Sequence, residues 1–238
     1  MKTLTRTLAL LAFLPLATLQ AQTPSPASKA ASTPKRTDVY HLFVVKAAPG
    51  KAKELEDWLK QPDPQRPDAK GIVLRHQDGD SWDFVAIEHM GSSATVDLKG
   101  PQMTPQQRLI GEWHADTFVA GPAWAEFAKS MGLDDASKSA GSVYVVSDYR
   151  AVPGHRDELE KMLTDTTPGD TASGNVLLSH VEGASWNLFG IVRYESWEKF
   201  AEGEKNSIAQ SNKGEGGWFE LRQHCALHHD TITDRIVP

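Results

Sequence analysis

The chain has 238 residues, 39% of them hydrophobic, enough apolar content to bury a core in one large domain or in two small ones. Its formal net charge is -6 and no cluster of Lys and Arg offers phosphate contacts, which excludes nucleic acid as a partner. A single cysteine, Cys225, rules out an internal disulfide, so the fold must rest on packing; Cys225 itself falls in an expected strand and reads as a buried apolar thiol.

At the N-terminus, Lys2 and Arg6 form a short positive region, Leu8 to Leu19 is an uncharged apolar run, and Leu19-Gln20-Ala21 offers a small residue at a cut. This pattern predicts a secretory signal peptide over 1–21 and a mature chain that is periplasmic or secreted. The apolar run is shorter than the roughly 20 residues that span a bilayer, Pro15 interrupts it, and no cysteine near the cut accepts a lipid, so no stable membrane anchor is expected. Loss of Lys2 and Arg6 takes the formal charge to -8. Residues 22–37 are rich in Pro, Ser, Ala and Thr without large apolar side chains, a composition that cannot offset its ordering entropy; they read as a flexible linker.

From residue 38 onward the chain repeats itself. Val39-Tyr40, Ala47, Pro49-Gly50, Glu54-Leu55-Glu56 and Leu59 recur 104 positions later as Val143-Tyr144, Ala151, Pro153-Gly154, Glu158-Leu159-Glu160 and Leu163. The same offset relates Leu74, His76, Gly79, Ser81-Trp82 and Ile87 to Leu178, His180, Gly183, Ser185-Trp186 and Ile191. Near the end, His114 and Asp116-Thr117 match His228 and Asp230-Thr231 at an offset of 114, so the second copy carries ten extra residues, placed around the Gly-rich stretch 212–217. Repeat one spans 38–121, a connection 122–142, and repeat two 143–238.

Within repeat one, Val39 to Ala47 is rich in β-branched and aromatic residues and predicts a strand, Pro49-Gly50 a turn, and Lys51 to Lys60 a helix with Ala52, Leu55, Trp58 and Leu59 on one face. A polar loop with Pro62, Pro64 and Pro67 follows. Gly71 to His76 and Trp82 to His89 then read as a hairpin around Asp78-Gly79-Asp80. A helical stretch over Ser92 to Leu109, matched by Ser196 to Ser211, leads to a last strand carrying Trp113 to Val119. Between the copies, Trp124, Phe127 and Met131 fall at helical spacing after Pro122, predicting a linking helix, and Leu133 to Ser142 connects it to repeat two.

The order β-α-β-β-α-β in each copy predicts an α+β fold: two ferredoxin-like modules, each with helices on one sheet face, packed sheet to sheet. On this element order, the Pro-Gly helix entry and the final His-x-Asp-Thr strand, residues 39–237 resemble the dimeric α+β barrel superfamily as a tandem fused pair, an intrachain pseudo-dimeric α+β barrel. A duplicated chain of this kind permits a monomer. The resemblance implies a cavity between sheet and helices for a small apolar or aromatic molecule, with cofactor-independent oxidation or isomerisation among its chemistries; similar proteins include small monooxygenases, isomerases and haem-handling enzymes.

The polar residues leave several readings open. Positions two apart on a strand share a face, so His114 with Asp116 and His228 with Asp230 are co-facial, and each carboxylate can orient its imidazole as a base. The alternative is a pair solvated at a sheet edge. His229 adds a third group, and His228, His229 and Asp230 form a candidate metal grouping without the spacing of a recognised motif. Trp82 and Trp186, with His76 and His180, read either as ligand-pocket residues or as core residues anchoring the hairpins. His41 is matched by Val145, so a site using it exists in one copy only. No Gly-rich phosphate loop, G-x-S-x-G, C-x-x-C or H-E-x-x-H is present, and no motif names a cofactor. Three functions therefore stand: a small-molecule protein whose status as an enzyme is open, a non-catalytic periplasmic binding or structural protein, and a metal-binding protein.

Overall fold

The structure, a computed structural model, describes residues 35–62, 66–94, 104–135, 139–165, 171–214 and 217–238. The expected signal peptide, the linker up to residue 34, Pro64 of the polar loop, positions 95–103 of the expected second helix, 136–138 of the connection and 215–216 of the Gly-rich insertion lie outside the described residues.

The first half runs β1 (Asp38–Ala47), α1 (Ala52–Leu59), β2 (Lys70–Asp78), β3 (Phe84–Ser92), α2 (Gln107–Ile110) and β4 (Gly111–Gly121). A linking helix α3 (Trp124–Ser130) leads to β5 (Val143–Ala151), α4 (Arg156–Thr164), β6 (Gly174–Glu182), β7 (Leu188–Tyr194), α5 (Trp197–Ser211), α6 (Gly217–His224) and β8 (Cys225–Val237). Helix α5 begins at Ser196, whose hydroxyl accepts from the Lys199 amide at 3.3 Å. Helix α6 directly follows the Gly-rich insertion and lies at an offset of 114 from 103–110, the segment that ends in α2; the sequence pattern does not predict it. All its residues are at least partly exposed, so it carries no apolar stripe of the usual kind.

The eight strands form one continuous antiparallel sheet in the order β1-β3-β2-β8-β5-β7-β6-β4, and β4 pairs β1 to close the ring. This corrects the expectation of two ferredoxin-like modules packed sheet to sheet. There are no two separate sheets to stack: β2 hydrogen-bonds β8, and β4 hydrogen-bonds β6, across the boundary between the halves. The resemblance to the dimeric α+β barrel superfamily is not carried forward, and the pseudo-dimeric barrel is replaced by this single sheet. The physical reason lies at the edges. Alternation in sequence assigns faces, but β2, β4, β6 and β8 each present a row of backbone groups that must find partners. Those partners come from the other half.

Inside the ring, Tyr40, Leu42, Ile72, Leu74, Ile87, Val119, Tyr144, Leu178 and Ile191 form a core in which each is at most 1% exposed. Eight strands enclose a space just wide enough for side chains to fill. Phe127 of helix α3 and Met131 at its C-cap, both fully buried, join this core. The Phe127 ring stacks on Tyr40 at 4.9 Å, while the Tyr40 and Tyr144 hydroxyls donate to the carbonyls of Pro122 (2.8 Å) and Met131 (3.0 Å). Outside the ring, Leu55 of α1 packs on Phe43, Val45 and Phe84, and Leu159 of α4 packs on Leu177, Leu188 and Cys225. Among the described residues no helix is long and apolar enough to cross a membrane.

The two hairpin turns tie each half to the other's last strand. Gly79 (φ +125°) has no room for a Cβ against the Asp230 carbonyl, and Gly183 (φ +99°) none against that of Asp116. Only glycine meets both the backbone angle and the close approach.

Candidate functional site

The His-x-Asp pairs lie on β4 and β8, on the outer face of the sheet. Strand alternation places each imidazole beside its carboxylate, with Nε2 to Oδ2 separations of 3.4 Å for His114–Asp116 and 3.5 Å for His228–Asp230. What surrounds the pairs differs between the halves, because the neighbouring strand positions differ.

In the first half, β1 sets Phe43 opposite Asp116 and His41 opposite Phe118. His41 is buried and its Nε2 lies 2.8 Å from Asp116 Oδ1, while its Nδ1 faces Glu88 at 3.7 Å. Glu88 is in turn paired with Arg66 at 2.8 Å. Burial disfavours charge on His41, but the bonds to Asp116 and Glu88 outweigh it and hold the imidazole above its ordinary pKa. His114 lies against Phe43 with ring centroids 5.4 Å apart, and its side chain is 40% exposed. Both nitrogens of His41 face carboxylates, and His114 has access to water. The cluster is electrostatically complete.

In the second half, the positions of Phe43, Val45 and Ala86 are taken by Ser147, Tyr149 and Gly190. Ser147 sits opposite Asp230 and donates to its Oδ1 at 2.6 Å, and Tyr149 sits opposite His228. The two rings lie 6.1 Å apart and are inclined by only 18°. Gly190 lies beneath: a Cβ there would meet Tyr149 Cε2 at 3.2 Å, so the bare glycine is what lets the larger ring lie on the sheet. Burial pushes the Tyr149 phenol well above its usual pKa. Glu204 of α5 is exposed at the surface, yet partial desolvation and the charge of Asp230 hold its carboxyl above the usual range. His228 Nδ1 is enclosed by protein and has no hydrogen-bond partner among the described residues. Of the two His-x-Asp pairs, this is the one whose histidine keeps a buried nitrogen without a partner among the described residues.

His229 does not join the grouping expected with His228 and Asp230. Alternation turns it to the opposite face, where its Nδ1 lies 3.5 Å from Asp148 Oδ1. Trp82 is 7% exposed and belongs to the central core, and Trp186 packs against that core. Each meets the histidine of its own hairpin edge-on, His76 at 5.9 Å and His180 at 5.5 Å. His180 Nε2 accepts from the Ala184 amide at 3.1 Å, whereas His76 Nε2 is buried without a partner among the described residues. A groove of about 310 Å³ between α1 and the ends of β2 and β3 includes His76, Arg75, Glu56 and Phe84. Its Arg75 is engaged by Asp234 at 2.7 Å and by Glu56 at 3.2 Å.

Ser147, Tyr149 and Gly190 are not among the positions that the two copies share. Their signal is three replacements within an otherwise matching register, all on one sheet face. No family model, no curated protein and no solved structure matches the chain.

Proposed function

We propose that the outer sheet face of the second half binds a small apolar or aromatic molecule carrying a proton-donating group, and that the chain does so after export to the periplasm or beyond the cell. The observation that carries this reading is the bare Nδ1 of His228. An Asp230 carboxylate only accepts hydrogen bonds, so the Nε2 facing it carries the ring proton and Nδ1 is left as a lone pair. A buried acceptor without a donor costs about 1–3 kcal/mol, and a ligand O–H or N–H that displaces the groups enclosing Nδ1 removes that cost. The Tyr149 ring supplies a flat surface beside it for an aromatic ligand. For a sufficiently acidic ligand, the proton moves to Nδ1, leaving an imidazolium next to Asp230 and an anionic ligand. Export is supported by the charges at Lys2 and Arg6 followed by the apolar run to Leu19.

A second reading, a non-catalytic binding or structural protein of the envelope, is favoured by the filled interior of the strand ring. Titration with 4-nitrophenol, whose absorbance reports its ionisation, separates the two. The small-molecule reading expects wild-type protein to bind and perturb the phenol, and His228→Phe, which keeps a stacked ring but no nitrogen, to bind at least about tenfold more weakly, equivalent to about 1.4 kcal/mol. Equal binding by both proteins, or none by either, leaves the second reading standing. The mass of the protein recovered from the periplasm of an expressing bacterium tests export, which predicts a chain beginning after Ala21.

A further inference from the structure

We propose that Asp80, Asp148 and His229 form a divalent-cation site at the hairpin end of the strand ring, built from both halves of the chain. One ligand atom from each of the three side chains lies within 4.8 Å of the other two. Small side-chain rotations bring such a trio to the metal bonds of about 2.0–2.2 Å that carboxylate and imidazole ligands make.

The fold holds the three together for separate reasons. Asp148 of β5 and His229 of β8 are direct cross-strand partners, and both point to the inner side of the sheet, on the same parity as Tyr144 and Thr231. Asp80 comes from the β2–β3 turn of the first half. Its amide donates to Thr231 Oγ1 at 3.3 Å, and Gly79 lets the turn press against the Asp230 backbone. The turn therefore holds its position over β8.

Charge and donor type narrow the occupant. The Asp148 side chain is 21% exposed and lies 3.5 Å from His229 Nδ1, and the Asp80 carboxylate converges on the same point. Two carboxylates and one imidazole converging on one point form a donor set that a cation can bridge. One imidazole with two carboxylates suits a borderline ion such as zinc or manganese better than calcium, which takes oxygen ligands throughout. Three protein ligands leave a coordination position for water.

The duplication supplies an independent argument. The corresponding positions in the other half are Ala184, Val44 and Ala115, none of which can bind a metal. The three donors are present together at one end-on junction of the halves and absent together at the other. Solvated polar residues with unrelated roles have no reason to be gained or lost as a set. A shared ion gives them one.

The test is calorimetric titration of zinc chloride into the chelator-treated, dialysed protein. The proposal expects a site that Asp80→Asn, Asp148→Asn and His229→Ala each weaken at least about tenfold, while His228→Phe and His224→Gln leave it intact. His224 matters as a control because its Nδ1 lies 3.0 Å from that of His155, a second place where two imidazoles meet. Asp80 lies in a turn, so Asp80→Asn carries the test if the strand variants fail to fold, with zinc-dependent protection against thermal unfolding as its second readout. Absence of zinc binding, binding unaffected by the three ligand variants, or binding abolished by His224→Gln overturns the proposal.

Discussion

Replacing His228 with Phe should make the protein more stable, because the buried Nδ1 is held at a thermodynamic cost without a hydrogen-bond partner among the described residues. The buried Nδ1 lacks a donor among the described residues, a penalty of about 1–3 kcal/mol. Against its removal stands the loss of the Nε2 contact to Asp230, which at 3.5 Å with Asp230 half exposed is worth about 0.2–1 kcal/mol. The Phe ring preserves the near-parallel contact with Tyr149. The balance is a gain of about 1 kcal/mol, corresponding to a rise in melting temperature of roughly 2–4 °C for a chain of this size. Urea unfolding followed by circular dichroism reads it as a higher midpoint at unchanged slope. His114→Phe is the control: its side chain is 40% exposed, so its nitrogens reach water and no comparable gain is expected. A loss of stability by more than about 1 kcal/mol in His228→Phe would refute the reasoning, since it would mean that Nδ1 is already satisfied in the free protein.

Three further outcomes follow from the geometry. Gly174→Ala should destabilise by about 1–3 kcal/mol or more, because its Cβ would overlap the Ser130 backbone carbonyl, which cannot swing aside; an unchanged urea midpoint would contradict this. Tyr144→Phe removes a buried hydroxyl bonded at 3.0 Å to the Met131 carbonyl and strands that acceptor, a cost of about 1–3 kcal/mol measurable in the same assay. His41 has its pKa raised by folding, so its stabilising contribution is complete below the ordinary imidazole value of 6.5 and is lost as the pH rises through the higher folded value. Wild type should therefore lose stability over that interval relative to His41→Val, the residue found at the matching position 145, and parallel pH profiles for the two proteins would show the carboxylates are not holding the charge.

The local architecture was legible because burial imposes periodicity. Tyr40 and Leu42 alternate with outward residues, Leu55 and Leu59 follow helical spacing, and Phe127 with Met131 marks the linking helix that closes on the core. The joining of the halves was not legible, because the pairing of β2 with β8 and of β4 with β6 is made by backbone atoms that every residue carries. Helix α6 escaped for a related reason: with no fully buried residue it leaves only a weak pattern beside the Gly-rich stretch. At the site, the pairing of each histidine with its aspartate follows from strand parity and could be read directly. The opposite placement of His228 and His229 follows from the same parity, and it argues against adjacency in sequence as evidence of a shared ligand. Asp148 left a signal too, as a charge at an inward strand position where the other half has Val44.

The divergence of the halves has a direction. On the outer face, the first half carries His41, Phe43 and Val45, a set in which each polar group meets a partner or water and each ring finds apolar contact. The second half carries Val145, Ser147 and Tyr149 on the same strand positions, and there a buried nitrogen is left without a partner among the described residues, while partial desolvation and the charge of Asp230 work against the ionisation of Glu204. The two sets share one continuous sheet and one core, so packing contributed by the first half offsets the unpartnered polar group of the second. A single module would have to balance both demands within its own four strands. Joining the halves through β2–β8 and β4–β6 distributes them, and the cost of the unpartnered nitrogen at His228 is borne by the fold as a whole.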